Sequence, residues 1–445
     1  MEHRLAAEVL RSAQKVAEQA EVFSVSSRTV SVQFEANESK QVQTKESSSL
    51  ALRIFREGRI GFATASGEGS LDALVDMAVE TSQFGSPASF QFPSRFHRGS
   101  SEVCIFDSKV EEIAMERMVE IGKELIAKIR GHTPDILCDV EVTKRTGSIS
   151  IINSQGGEGR YDKSFFGFSL EGILVRDTDM LFVGDSESSC RPDSIGIDDL
   201  AGRVIWQMEM AKEKAAVSTK LLPVIFTPLG VASALLTPLV LAFNGKAVLE
   251  GASPLKDKLG EQVFDKKLSL WDDATIAYGV GSYPFDDEGV SSQHLPLITN
   301  GVVTNFLYDL HTAALAGTQS TGNGRRVGGG FPSPAISSLR LCRSGGDVSF
   351  RAMVEDMKEG LIVEQVIGAE QGNVLSGDFG GNLLLGYKVE NGEIIGRVKD
   401  TMIAGNVYQV LKELLGIGQE ARWVGGILQT PSLYCPRVSV ATKES

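Results

Sequence analysis

Thr29-Val30-Ser31-Val32-Gln33-Phe34-Glu35, followed by Ala51-Leu52-Arg53-Ile54-Phe55 and Ile60-Gly61-Phe62-Ala63, decides the fold class of this chain. Successive side chains of a strand point to opposite faces, so Val30, Val32 and Phe34 share one side and Ser31, Gln33 and Glu35 the other. Glu57-Gly58 between the two later runs reads as a hairpin turn. Upstream, Leu5, Val9, Val16 and Ala20 form one apolar stripe, which predicts a helix over about residues 2–20. A helix followed by a strand meander argues for an antiparallel sheet with one covered face.

Working outward, helices are predicted at about 70–83 and 108–130, the second opened by Asp107 or Ser108 as cap. Strand-like runs follow at 136–142, 148–153, 164–173 and 180–183. Gln155-Gly156-Gly157-Glu158-Gly159 has the glycines of a phosphate loop but no lysine and no following helix, so a hairpin turn is the better reading. A helix at about 195–218 closes this half, and Ser218-Thr219-Lys220 is the boundary candidate. Beyond it, short strands at 302–308, 348–350, 361–368, 383–390 and 397–402 alternate with glycine turns. A helix at 405–416 ends on Gly416, and strands at 424–428 and 436–440 finish the chain. The fold class is α+β: residues 1–219 form an N-terminal α/β domain with an antiparallel sheet, and 220–445 a larger β-rich domain.

From Leu221 to Phe243 the chain carries no charge, long enough to span a bilayer. Pro223, Pro228, Pro238 and Gly230 interrupt it, however. Thr227-Pro228 and Thr237-Pro238 each fit a helix cap followed by a first-turn proline. The segment therefore reads as a buried strand running into apolar helix, not as a membrane span.

Composition narrows the function. The 445 residues are 42% hydrophobic and 23% charged, as in a globular protein of two or more domains. Net charge is −13, with 57 acids against 44 bases, which gives no hint of the basic face that nucleic acid requires. Cys104, Cys138, Cys190, Cys342 and Cys435 are scattered, with no Cys-x-x-Cys pair, and read as free thiols of a reducing cytoplasm. The N-terminus lacks an apolar signal region.

Chemistry could sit in two places. Asp286-Asp287-Glu288-Gly289 sets three acids together; in a strand Asp286 and Glu288 would share a face, too few ligands for a metal, and a solvated or capped turn is the plainer reading. Thr321-Gly322-Asn323-Gly324-Arg325-Arg326, followed by Gly328-Gly329-Gly330, allows close backbone approach, and its arginines can fork onto a carboxylate such as Asp287 or a peptide C-terminus. The alternative is a mobile glycine loop. His3, His97, His132, His294 and His311 are too dispersed to form a zinc site by motif, and no nucleophile elbow is present.

Those two blocks, with Asn300-Gly301, Leu307-Tyr308-Asp309 and Ser320, resemble the TldD/PmbA family, once named modulators of DNA gyrase; weaker similarity continues in Gly377-Asp378-Phe379 and Val424-Gly425-Gly426. The resemblance covers essentially the whole chain. It implies two subunits that clamp into a chamber for small or unfolded peptides. TldD-type chains hold zinc on His-Glu-x-x-x-His plus a distal cysteine; PmbA/TldE-type chains lack it. Here the two histidine positions fall on Thr237 and Ala242, the glutamate position on Pro238 and the cysteine position on Gly425. Neither alanine nor proline offers a zinc ligand or a proton acceptor. The resemblance thus implies a cytoplasmic, non-catalytic subunit with no cofactor of its own, zinc residing in a TldD-like partner. Asp286, Asp287, Glu288, Asn323, Gly324, Arg325 and Arg326 become candidate groove or dimer contacts. The open alternatives are an autonomous hydrolase using Asp286, Glu288 and His294, or a non-enzymatic homodimeric regulator.

Overall fold

The alternating runs at 30–34 and 51–63 become the centre of a six-stranded sheet. The computed structural model describes residues 2–67, 71–96, 103–343, 345 and 347–443. The strands are β1 (Gln19–Glu35), β2 (Glu38–Arg56), β3 (Arg59–Ser66), β4 (Leu137–Asn153), β5 (Glu158–Arg176) and β6 (Asp179–Ser189). They lie in the order β3-β2-β1-β4-β5-β6 with every neighbour antiparallel. Ala36-Asn37 and Glu57-Gly58 take positive φ at both residues, the turn whose twist matches that of the flanking strands. The glycine run at 155–159 is a hairpin connection, from β4 to β5, with Gly156 at φ 88.

Helices α1 (Glu2–Ala13), α2 (Leu71–Ser82), α3 (Lys109–Glu112), α4 (Met115–His132) and α5 (Ile197–Met210) accompany this sheet. The first helix is shorter than the stripe predicts. Ala20 pairs with Ile54 in the sheet, so strand pairing claims residues that helical periodicity also fits. On one face, Val22, Leu52 and Ile54 meet Val9, Leu74 and Ala78 of α1 and α2. On the same face, Val32, Phe34 and Val140 meet Met118 and Leu125 of α4 and Leu200 of α5.

The second half builds β7 (Lys220–Phe226), β8 (Leu268–Asp273), β9 (His294–Thr299), β10 (Val302–Val303), β11 (Gly324–Arg325), β12 (Ser333–Pro334) and β13 (Leu339–Arg343). It continues with β14 (Asp347–Val348), β15 (Glu359–Ile367), β16 (Asp378–Glu390), β17 (Glu393–Arg397), β18 (Thr401–Asn406), β19 (Gly416–Val424) and β20 (Leu428–Thr442). Strands β20, β18, β16, β15 and β7 pair in sequence, and β7 pairs back onto β20, closing a ring. Ile225, Ile362, Tyr387 and Tyr434 from these strands share one core with α4, α5 and the first sheet, so the two halves are packed as one body.

Several sequence expectations fail here for identifiable reasons. The predicted helix at 405–416 is only Val407–Val410, and Gly416 opens β19 instead of capping a helix. Residues 424–428 are mostly the turn into β20, and the run at 302–308 keeps only two strand residues. In the uncharged segment, Thr227 caps its helix as expected, accepting from Gly230 N at 3.3 Å. No new helix begins at Thr237-Pro238. Val231–Leu235 is a π-helical turn leading straight into Leu236–Phe243. Proline cannot donate to the carbonyl four residues back, and a π turn just ahead of it absorbs the mismatch without breaking the helix. This segment packs on Phe226, Leu339, Phe379 and Leu433, and no helix among the described residues is long and apolar enough to cross a membrane.

Gly230 marks the tightest point of that packing, because a Cβ there would lie 2.2 Å from the Val363 carbonyl oxygen of β15. Gly230→Ala is therefore expected to cost about 1–3 kcal/mol, read as a lower urea midpoint; an unchanged midpoint would refute the contact.

Candidate functional site

Asp286-Asp287-Glu288-Gly289 is a turn, not a strand, closed by Gly289 N donating to Asp286 O at 3.1 Å with Gly289 at φ 82. Alternation of faces therefore does not apply to it. The Asp286 carboxylate accepts from Glu288 N (3.0 Å), Val290 N (2.9 Å) and Gly324 N (2.8 Å). Burial, then Glu288, pushes its pKa well above the usual range. Asp287 accepts from Arg326 N at 2.7 Å, and its own N–H donates to Gly324 O at 2.9 Å. Thus the acidic turn and the Gly-Arg-Arg block, far apart in sequence, are stapled together. Asn323 donates to the buried Asp272 at 2.7 Å, and burial pushes Asp272 up to about 6.

The side chains then reach across to the first sheet. Glu288, fully buried, accepts from Arg53 Nη1 at 2.5 Å and from Leu310 N at 2.7 Å. Arg53 Nη2 lies 3.0 Å from Glu21, and Glu21 in turn accepts from Arg326 Nη2 at 2.5 Å. All four side chains are 0% exposed or nearly so. The result is an alternating chain, Glu288–Arg53–Glu21–Arg326, linking both halves of the molecule. Phe90, Phe92 and Phe331 surround the Arg53 guanidinium, and Phe23 and Phe62 that of Arg326. Burial lowers the basicity of Arg53, but Glu21 and Glu288 outweigh it and raise its pKa. Arg325 stacks on Tyr283 at 4.6 Å and sits 3.4 Å from Asp287, and its side chain keeps 31% exposure.

Of the seven candidate contacts, Asp286, Asp287, Glu288, Asn323, Gly324 and Arg326 are buried and bonded within this chain; Arg325 alone keeps a partly open side chain. Neither guanidinium forks onto the Asp287 carboxylate: Arg325 approaches it through Nε alone, at 3.4 Å, Arg326 reaches it with its backbone N–H, and the Arg326 side chain turns to Glu21. Gly324 is required by space: a Cβ would stand 2.5 Å from Glu288 Oε2. Sequence reading missed Glu21 and Arg53. Their trace was a lone charge inside an apolar strand run, here facing the second half of the chain.

The histidines do not converge. His294 bonds Asp273 at 2.8 Å and stacks on Trp271, away from Asp286 and Glu288. His132 pairs with Glu209 and His311 lies against Phe90; His97 is outside the described residues. Thr237 is exposed while Ala242 is buried, as expected for positions five apart on an α-helix, about 140° around its axis. Gly425 sits in the turn after β19 at φ 58. These residues do not fit a zinc ion, and among the described residues no group of three or more His, Cys, Asp or Glu is placed to hold a metal.

The family description "PmbA/TldA metallopeptidase C-terminal domain" matches residues 219–442, half of the chain, and "PmbA/TldA metallopeptidase domain 1" matches 20–82. The chain belongs to the PmbA/TldD family. Metalloprotease PmbA of Escherichia coli O157:H7 is 25% identical over 95% of this chain and 92% of its own length. An uncharacterized protein of Methanocaldococcus jannaschii is 26% identical over 92% and 93%. TldE from Thermococcus kodakarensis, at 22% identity, has the same fold, with a TM-score of 0.87 covering 98% of this chain and 100% of that one. In this PmbA/TldD chain the signature residues are thus an internal joint.

Removing one member of a buried ion chain strands its partners, at about 3–5 kcal/mol. Arg53→Met and Glu288→Met should each show such a loss in urea unfolding, and the double variant should lose clearly less than their sum. Strict additivity would mean that the two charges do not depend on each other.

Proposed function

We propose that this chain is a zinc-less PmbA/TldE-type subunit of a two-subunit metallopeptidase, completing with a TldD-like, zinc-bearing partner the chamber in which small or unfolded peptides are processed. The observation that carries this reading is the helix 236–243. At the family's ligand positions it presents a threonine to solvent and an alanine to the core, with proline where the general base would stand. The full-length similarity to a metalloprotease PmbA supports the family half of the reading. The buried joint at 286–326 suits a wall that must hold its shape while another chain does the chemistry. All five cysteines are free, which agrees with a cytoplasmic location. Unfolded substrates fit strand-edge capture, in which backbone bonds supply affinity with little sequence preference.

The test is metal analysis of the purified chain beside peptidase assays with and without a co-expressed TldD-type chain carrying His-Glu-x-x-x-His. The expected outcome is no stoichiometric zinc and no hydrolysis alone, and co-purification with one zinc per pair when the partner is present. Stoichiometric zinc with peptidase activity in the partner-free preparation would overturn the proposal.

A further inference from the structure

A cleft of about 870 Å³ opens between α5 and the second sheet, lined by Arg203 and Trp206 of α5, Thr227, Glu364 of β15 and the 418–422 stretch of β19. None of Thr237, Ala242, Gly425 or the 286–326 residues lines it. Its volume falls within the usual range for small-ligand sites. At the cleft lies a buried acid. Glu364 is 5% exposed, its Oε1 accepts only a long 3.4 Å bond from Gln207 Nε2, and its Oε2 has no hydrogen-bond partner of adequate geometry. Burial pushes this carboxyl up to about 7; Asp185 adds to the rise, while the Thr227 hydroxyl, Arg422 and Gln207 oppose it. Tyr387 also faces it, its hydroxyl donating to Gln207 O at 3.3 Å.

The Thr227 hydroxyl and Gln207 are the donors beside this carboxylate, and Oε2 has no well-formed hydrogen bond. An under-satisfied buried acceptor costs free energy, so the question is what further donor suits it. Charge on the walls gives the sign. Arg203 is already held by Asp185 and Glu187, each at 2.6 Å, and Arg422 by Asp185 at 3.1 Å. Arg351 extends outward onto Glu355 with 88% of its side chain exposed. Among the described residues, Asp199, Glu364 and Glu420 on the same walls have no ion-pair partner. The uncommitted charge is negative, which favours a cation. A single free carboxylate oxygen cannot bind a guanidinium through both prongs, whereas an ammonium needs one strong acceptor and can turn its other donors elsewhere. One carboxylate is also too few ligands for a divalent metal. The half-buried Trp206 and Phe350 supply an aromatic wall, a surface that attracts cations. Beside it runs an open strand edge: β14 pairs with β19 only at Ile417 and Gly418, and the rest of that edge has no strand partner among the described residues.

We propose that this cleft binds a primary ammonium group, the amino terminus of an extended peptide whose backbone lies along the free edge of β19 against Glu364. The peptide half of this assignment rests on the reading of the chain as a peptide-handling subunit, whereas the ammonium half stands on the cleft alone.

Isothermal titration of the full chain tests both with three probes: n-butylamine, tetra-alanine and N-acetyl-tetra-alanine. Binding needs Glu364 ionised, so butylamine affinity should rise about tenfold from pH 6 to pH 8, as the carboxyl titrates near 7. Tetra-alanine should bind more tightly than butylamine at pH 7, and fade above pH 8 as its own amine (pKa about 7.7–8.0) deprotonates. The acetylated peptide should bind at least about thirtyfold more weakly, roughly the 2 kcal/mol of a lost charge-assisted bond. Glu364→Gln should abolish the pH response while a thermal melt at pH 8 shows the fold intact, since it removes a buried acid and keeps the shape. Asp199→Asn with Glu420→Gln, at the exposed rim, should weaken binding several-fold and serves if Glu364→Gln does not fold. Equal binding of free and acetylated peptide, binding unchanged in Glu364→Gln, or no binding of either amine at pH 8 overturns the ammonium site. Binding of butylamine but not of tetra-alanine overturns the peptide assignment. None of these outcomes depends on zinc or on a partner, so they are distinguishable from failure of the subunit proposal.

Discussion

Where the two halves meet at the acidic turn, their arrangement depends on four charges that cannot be left alone. Glu288, Arg53, Glu21 and Arg326 are out of water, and an isolated ion in such surroundings costs several kcal/mol. Alternation of sign solves this: each inner charge lies between two of the opposite kind, and the aromatic rings around the guanidiniums exclude solvent without competing for hydrogens. Such a chain forms only when β1, β2, the acidic turn and the Gly-Arg-Arg block are all in place. It therefore contributes more to the uniqueness of the arrangement than to net stability, because well-packed apolar residues could fill the same space at similar free energy.

This explains why the signature can be read two ways in sequence. Adjacent acids, glycines and paired arginines are what an active site would need, and also what a buried polar joint needs. Asp286 must accept three backbone N–H groups, which requires the tight turn completed by Gly289; Gly324 must have no side chain, because Glu288 occupies that space. The distinguishing information lies with the partners, Glu21 and Arg53, more than two hundred residues upstream of Glu288. Arg53 was visible only as a charge in Ala51-Leu52-Arg53-Ile54-Phe55.

What could be read locally was local in origin. The period-two runs, the Glu57-Gly58 and Gln155–Gly159 turns and the Thr227 cap are set by neighbours a few residues away, and all appear as expected. The failures come from long-range competition. Ala20 fits a helical stripe and a strand equally well, and pairing with Ile54 decides. Gly416 has the composition of a helix stop, yet pairs with Tyr434 at the start of β19. One covered face was expected for the first sheet; part of its second face is covered too, by the chain around Phe285 and Glu288, while β2 stays exposed over residues 38–48. A covering segment that lies well downstream of the sheet's last strand leaves no periodicity to read.

The helix 228–243 carries the last step. Five residues along an α-helix turn the side chain about 140°, so two ligands at positions 237 and 242 could not meet one ion on this backbone. A wider π turn would bring residues five apart closer to register. In this chain the π turn lies six residues earlier, at Val231–Leu235, and serves to carry the helix past Pro238. The backbone irregularity that ligand spacing would use is thus committed to accommodating a proline. Side chains and backbone tell the same story at this segment: histidines placed at 237 and 242 would still need the helix itself to be rewound around Pro238.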